Sequence, residues 1–102
     1  AILDLEEAFI GPCAFDLMMA FVGFGWNDEE PIHERWNALL EGYESVRPLS
    51  QEEKLALPAL HRYATLSIAS WRYWKHVMTQ PIEEFKGRYL EMAHRLDQQI
   101  DF

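Results

Sequence analysis

Basic residues are scarce in this chain: 9 Lys and Arg stand against 17 Asp and Glu, a formal net charge of −8. Nucleic-acid binding is dominated by phosphate neutralisation, so this balance argues against it, and equally against an anionic membrane surface. A small cationic or amine-bearing partner suits the charge better. Cysteine is almost missing. Cys13 alone cannot form an internal disulfide, and with no His or Asn context for a nucleophile it reads as a small buried thiol. Long hydrophobic runs are missing too. The most apolar stretch, residues 14–26, contains Asp16 and is too short to span a bilayer, so a soluble cytoplasmic protein is expected. His33, His61, His76 and His94 lack metal-ligand spacing and read as solvated helix-surface side chains. No internal repeat or low-complexity linker divides the 102 residues, which amount to one domain or less.

What is present is apolar and aromatic. Hydrophobic residues make up 49% and aromatics 14%, enough for a real core and too much for a disordered chain. Residues 1–5 have the composition of a short strand. A lone strand cannot satisfy its backbone groups, so its neighbours must come from elsewhere. The expectation is the C-terminal part of a longer protein.

Gly11-Pro12 starts a helix at about Cys13 or Ala14 that has almost no polar face, and Gly23 and Gly25 end it. Asn27 or Asp28 is a candidate cap for the next helix, whose stripe is Ile32, Trp36, Leu39 and Tyr43. Ser50-Gln51-Glu52-Glu53 is a capping box, and Pro58 is expected to cut its helix short. A further helix from Pro58 to about Met78 has Leu60, Ala64, Ser67 or Ile68, Trp71, Trp74 and Met78 as its buried stripe. A last helix follows Pro81, with Ile82, Phe85, Tyr89, Met92, Leu96 and Ile100 as its stripe. The fold class is mainly α: about five helices and a short N-terminal strand.

Two acids stand out. Asp4, flanked by apolar residues and followed by Glu6, suits a hard cation such as Mg²⁺, which takes one or two carboxylates beside phosphate oxygens and water. The alternative is a strand-end acid paired with an arginine. Asp16 lies within the apolar helix, where a carboxylate needs hydrogen-bond donors, and reads as a structural clamp on a neighbouring loop. Trp71-Arg72-Tyr73-Trp74-Lys75-His76 has a base-stacking composition, but the charge and the helical spacing favour core packing. Trp26, at a helix–loop boundary, is a core residue that is also placed to line a pocket.

The run Ile2-Leu3-Asp4-Leu5-Glu6-Glu7-Ala8, the Gly11-Pro12 turn and Phe15-Asp16-Leu17 together resemble the hallmark of the aminoglycoside phosphotransferase/choline kinase-like superfamily. Residues 39–50, with Arg62-Tyr63-Ala64 leading to Trp71-Arg72, are similar to its homoserine kinase-like branch. The resemblance implies a protein kinase-like fold, with ATP between a β-rich N-lobe and a helical C-lobe, and residues 1–102 forming part of the C-lobe. It implies Asp4 as the aspartate that holds Mg²⁺ on the nucleotide phosphates, Glu6 as a motif acid near the metal or substrate, and Asp16 as the helix aspartate that braces the catalytic loop. Trp26, Tyr43 and Arg72 are candidates for an acceptor pocket. The H-x-D-x-x-x-x-N loop, the glycine-rich loop and the N-lobe lysine are not in these residues, so no catalytic base is assigned here and phosphate transfer needs the longer protein. The implied activity is ATP-dependent phosphorylation of a metabolite hydroxyl, on a homoserine-like amino alcohol or on choline, an aminoglycoside, a sugar or hydroxylysine. A helical interaction module without chemistry is the alternative.

Overall fold

The computed structural model describes residues 3–5 and 8–102. The expectations placed on Ala1, Ile2 and Glu6 lie outside the described residues. Leu3, Asp4 and Leu5 are exposed and irregular, not a strand. Asp4 has φ 64, in the left-handed region that an L-residue seldom adopts and that is incompatible with an extended strand. The described chain is mainly helical, and its extended pairing is a single two-stranded ribbon between the first two helices.

Helix α1, Cys13–Phe24, buries Ala14, Leu17, Met18, Phe21 and Val22, the i, i+3, i+4, i+7, i+8 set that forms one helical face. It packs against both α2 (His33–Glu44) and α3 (Gln51–Tyr73). Cys13, at its first position, is exposed rather than buried. The helix ends at Gly25, whose N–H donates to the Phe21 carbonyl at 2.7 Å. A β-carbon at Gly25 would overlap the Phe21 ring, so only glycine lets the chain turn this close to the core.

Asn27 and Asp28 do not cap α2. They belong to a tight antiparallel turn in which β1, Trp26–Asn27, pairs with β2, Glu30–Pro31. Asp28 sits at the tip with φ 46, a conformation that Asp tolerates better than most residues. The Ile32 N–H closes the turn onto the Gly25 carbonyl at 2.8 Å, and Ile32 precedes α2 without a side-chain cap. Trp36 is the buried anchor of α2, flanked by Leu39, Leu40 and Tyr43. Arg35 donates to the Phe24 and Trp26 carbonyls, tying α2 to the end of α1.

The capping box forms as expected. Ser50 Oγ accepts from the Glu53 N–H at 3.1 Å, and Glu53 accepts from the Ser50 N–H at 3.0 Å. Pro58 does not stop α3, which runs 23 residues through it. The proline leaves the Lys54 carbonyl without its helical donor, but Lys54 and Pro58 are both exposed, so water can serve that carbonyl. The buried face is also rotated from the expected one. Leu57, His61, Ala64, Thr65 and Ala69 are buried, whereas Trp71, Trp74 and Met78 are exposed. Small side chains at 64, 65 and 69 let the helices approach, and the indoles are too large for that seam. Beyond Tyr73 the chain winds as a π-helix, Trp74–Thr79.

The last expected helix is broken. A 3₁₀ turn, Glu83–Phe85, precedes α4, Arg88–Arg95, which buries Met92 and Arg95. Residues 97–102 fold back instead of continuing, because Phe102 fills a space against Trp36 (ring centroids 4.9 Å), His61 (5.6 Å) and Phe21 (5.8 Å). None of the described helices is long and apolar enough to cross a membrane.

Phe21 touches the rings of Trp26, Trp36, His61 and Phe102. Phe21→Ala should cost about 3–5 kcal/mol, against about 1 kcal/mol for Ser50→Ala at the cap. Urea denaturation checks the contrast, and equal losses would show that the core is not centred on Phe21.

Candidate functional site

Asp4 and Asp16 fall at one end of α1 and Trp26 at the other. Near its N-terminus, Leu5, Ala8, Phe9, Gly11, Pro12, Phe15 and Asp16 line a cavity of about 350 Å³. Phe9 packs on Phe15, and Phe15 sits edge-on to Tyr63 of α3, which holds this wall against the helical body. Asp16 is exposed, not buried among its apolar neighbours. The buried face is set by positions 14, 17, 18, 21 and 22, and position 16 points away from it. Asp4 is exposed as well. Among the described residues no group of three or more His, Cys, Asp or Glu converges to hold a metal. A single exposed carboxylate at Asp4 fits Mg²⁺ in the mode where phosphate oxygens and water complete the shell.

At the other end lies a cavity of about 780 Å³. Its walls are the Asp28-Glu29 turn with Trp26, and α4 with Leu90, Glu91, His94 and Arg95. Two side chains pack on the Trp26 ring. The His61 ring stacks on it at 5.8 Å and 15°, and the Arg95 guanidinium carbon lies 4.5 Å from its ring centroid. Arg95 donates Nη1 to the Val22 carbonyl (2.9 Å) and Nη2 to the Asp28 carbonyl (3.2 Å), joining α4 to the end of α1 and to the turn. The Gln98 amide donates to the Glu29 carbonyl on the same wall. Burial pushes the His61 imidazole down to about 4, helped by the Arg95 charge, so it is neutral at pH 7. Burial also lowers the Arg95 guanidinium from its usual range.

The three acceptor-pocket candidates are not brought together. Trp26 lines the large cavity. Arg72 stands behind it, donating to the Arg88 carbonyl (3.0 Å) and to Glu91 (3.2 Å). Tyr43 lies elsewhere, its hydroxyl accepting from Arg47, which also pairs with Glu53 at 2.9 Å. A twelve-residue helix is roughly 18 Å long, so α1 keeps Trp26 well away from Asp4 and Asp16. His61, expected as a solvated helix-surface side chain, is buried instead because it lies on the inward face of α3, and Arg95 was not singled out in the sequence. His61 sits four residues from both Leu57 and Thr65 on the buried face of α3, and Arg95 follows buried Met92 by three, a spacing that marks a shared face but not a partner.

The chain is 36% identical over 79 residues to a homoserine kinase of Gluconobacter oxydans, covering 76% of this chain and 25% of that protein. It is 52% identical over 60 residues to a homoserine kinase of Rhizobium etli, covering 58% of this chain and 19% of that one. A homoserine kinase of Granulibacter bethesdensis is 30% identical over 81 residues, covering 78% and 25%. The chain thus spans about a quarter of the length of these relatives, or less. The similarity supports a relationship to kinases. No family model matches the chain, and no solved structure matches it.

His61 binds a proton more readily unfolded than folded, so stability is full near pH 7 and falls as pH drops from about 6.5 toward 4. The loss between pH 7 and pH 5 should be on the order of 2 kcal/mol. Urea midpoints at the two pH values measure it, and in His61→Gln the difference should shrink. An equally steep slope in that variant would assign the effect to other groups.

Proposed function

We propose that this chain is the C-terminal helical part of an ATP-dependent small-molecule kinase, of the aminoglycoside phosphotransferase/choline kinase-like superfamily and its homoserine kinase-like branch. Its substrate is a metabolite hydroxyl on a homoserine-like amino alcohol. The carrying observation is the 52% identity over 60 residues to a homoserine kinase. Asp4 supports it, as an exposed acid in a backbone conformation that tends to persist where function requires it. In this proposal Asp4, with Glu6 beside it in sequence, holds Mg²⁺ on the phosphates of ATP, and the ion supplies charge neutralisation to the transferring group. Asp16, exposed on the first turn of α1, braces the loop of the longer protein that carries the base. The N-terminal lobe of that protein is the partner that completes the site, in a soluble cytoplasmic enzyme.

The acceptor hydroxyl must come within about 3–3.5 Å of the phosphorus. The length of α1 sets Trp26 apart from the Asp4 end, so in this proposal the acceptor contacts come from that end and from the rest of the longer protein. A helical interaction module is the second reading, favoured by the exposed Tyr63, Leu66, Trp71, Trp74 and Met78. Calorimetry of the full-length protein with MgATP separates the two, since a scaffold gives no heat.

In the full-length protein Asp4→Asn should lower turnover by roughly 10²-fold or more at an unchanged melting temperature. Wild-type turnover in that variant would refute the metal role.

A further inference from the structure

Helix α3 is apolar on two sides. Its inward face buries Leu57, Ala64 and Ala69. A solvated outward face is ordinarily polar and charged, and a helix apolar all round is ordinarily covered all round. The outward face of α3 is a stripe of Leu55, Ala59, Tyr63, Leu66, Ser70 and Trp74, which follow one another at three- and four-residue spacing. All six are exposed, and exposed Trp71 and Met78 flank the stripe. The chain has 17 Asp and Glu, yet none lies between Leu55 and Gln80. Arg62 and Arg72 are drawn to the side of α4, where they donate to the Leu96 and Arg88 carbonyls. The stripe runs roughly 30 Å along the helix axis. So long a run of open apolar side chains marks a surface that another body covers.

The occupant follows from length and continuity. The chain spans a quarter or less of its homoserine kinase relatives, so most of a protein of that length lies outside residues 1–102. The apolar surface also continues off α3. Tyr63 meets Phe15 with ring centroids 5.4 Å apart, and Phe15 meets Phe9 at 5.9 Å. The stripe thus runs into the exposed Leu5, Phe9 and Ile10 ahead of α1. A segment tethered in the same polypeptide meets this surface at an effective concentration on the order of mM, an advantage that a second copy lacks. We propose that the outward face of α3 is an internal surface of the longer protein, covered by an apolar segment of its own polypeptide. The proposal rests on the reading of the chain as part of a longer protein, and not on that protein being a kinase. It gives the exposed aromatics an occupant within the same molecule, where the interaction-module reading gives them a separate partner.

Hydroxyl-radical footprinting of the full-length protein, read by mass spectrometry, reports how open each side chain is. Met78 and Trp74 should be oxidised as slowly as Met18 and Trp36, the buried side chains of the same types. A substitution gives an independent readout with opposite signs for the two cases. Glu is a better helix former than Ser, so on a solvated face Ser70→Glu leaves the melting temperature unchanged or slightly raised. Beneath a covering segment it buries an unpaired carboxylate and should lower the melting temperature by about 5 °C or more. Ala38→Glu, at an exposed position of α2, should shift it by less than about 2 °C. Oxidation of Met78 and Trp74 at the rates of the urea-unfolded protein would overturn the proposal, and so would Ser70→Glu without loss. A full-length dimer that Ser70→Glu splits into folded monomers would also overturn it, with a second copy as the occupant. Protection of the stripe in a protein without MgATP turnover would overturn the kinase proposal and support the covered face. Turnover with the stripe open would do the reverse.

Discussion

The packing of Phe21 among four other rings is the constraint on which the rest depends. Trp26, Trp36, His61 and Phe102 come from the turn after α1, from α2, from α3 and from the last residue of the chain. A single side chain near the end of α1 thus joins the turn, α2, α3 and the C-terminal segment. It also explains two local features. Glycine is required at 25 because the ring leaves no space for a β-carbon. The chain after α4 folds back because burying Phe102 there gains more than further helix exposed to solvent would.

The second layer of organisation is electrostatic. His61 and Arg95 both pack on the Trp26 indole. Burial keeps the imidazole neutral, so it does not repel the permanent cation that shares the ring. The guanidinium in turn fixes the ends of α1 and of the Asp28 turn through their carbonyls. Core packing and cavity wall are therefore built from the same residues, so a change in one should be felt in the other.

The two ends of α1 have different characters. The N-terminal end carries two exposed acids and a small apolar cavity, an open surface suited to completion by other segments of a longer protein. The C-terminal end is tied into α2, α3 and α4 and encloses its cavity within the described residues. In the proposed kinase the first would be the metal-facing side.

Local signals in the sequence determined much of this. The apolar spacing of α1 and α2, the Ser50/Glu53 box and the breaks at Gly11-Pro12 and Gln80-Pro81 were all legible, because caps and periodicity depend on neighbours a few residues away. Trp26 was legible as both core and pocket wall. Tertiary structure decided the rest. It carried α3 through Pro58, where solvent could serve the freed carbonyl. It turned Ala64, Thr65 and Ala69 inward and the indoles outward, because helix approach depends on the opposing surface. It made Asn27-Asp28 a turn rather than a cap, and it exposed Asp16. It also placed Arg95 on Trp26, residues 69 positions apart whose meeting no periodicity encodes. Periodicity specifies which side chains share a face; what that face meets depends on the other elements, and so does whether a charge there is buried or solvated.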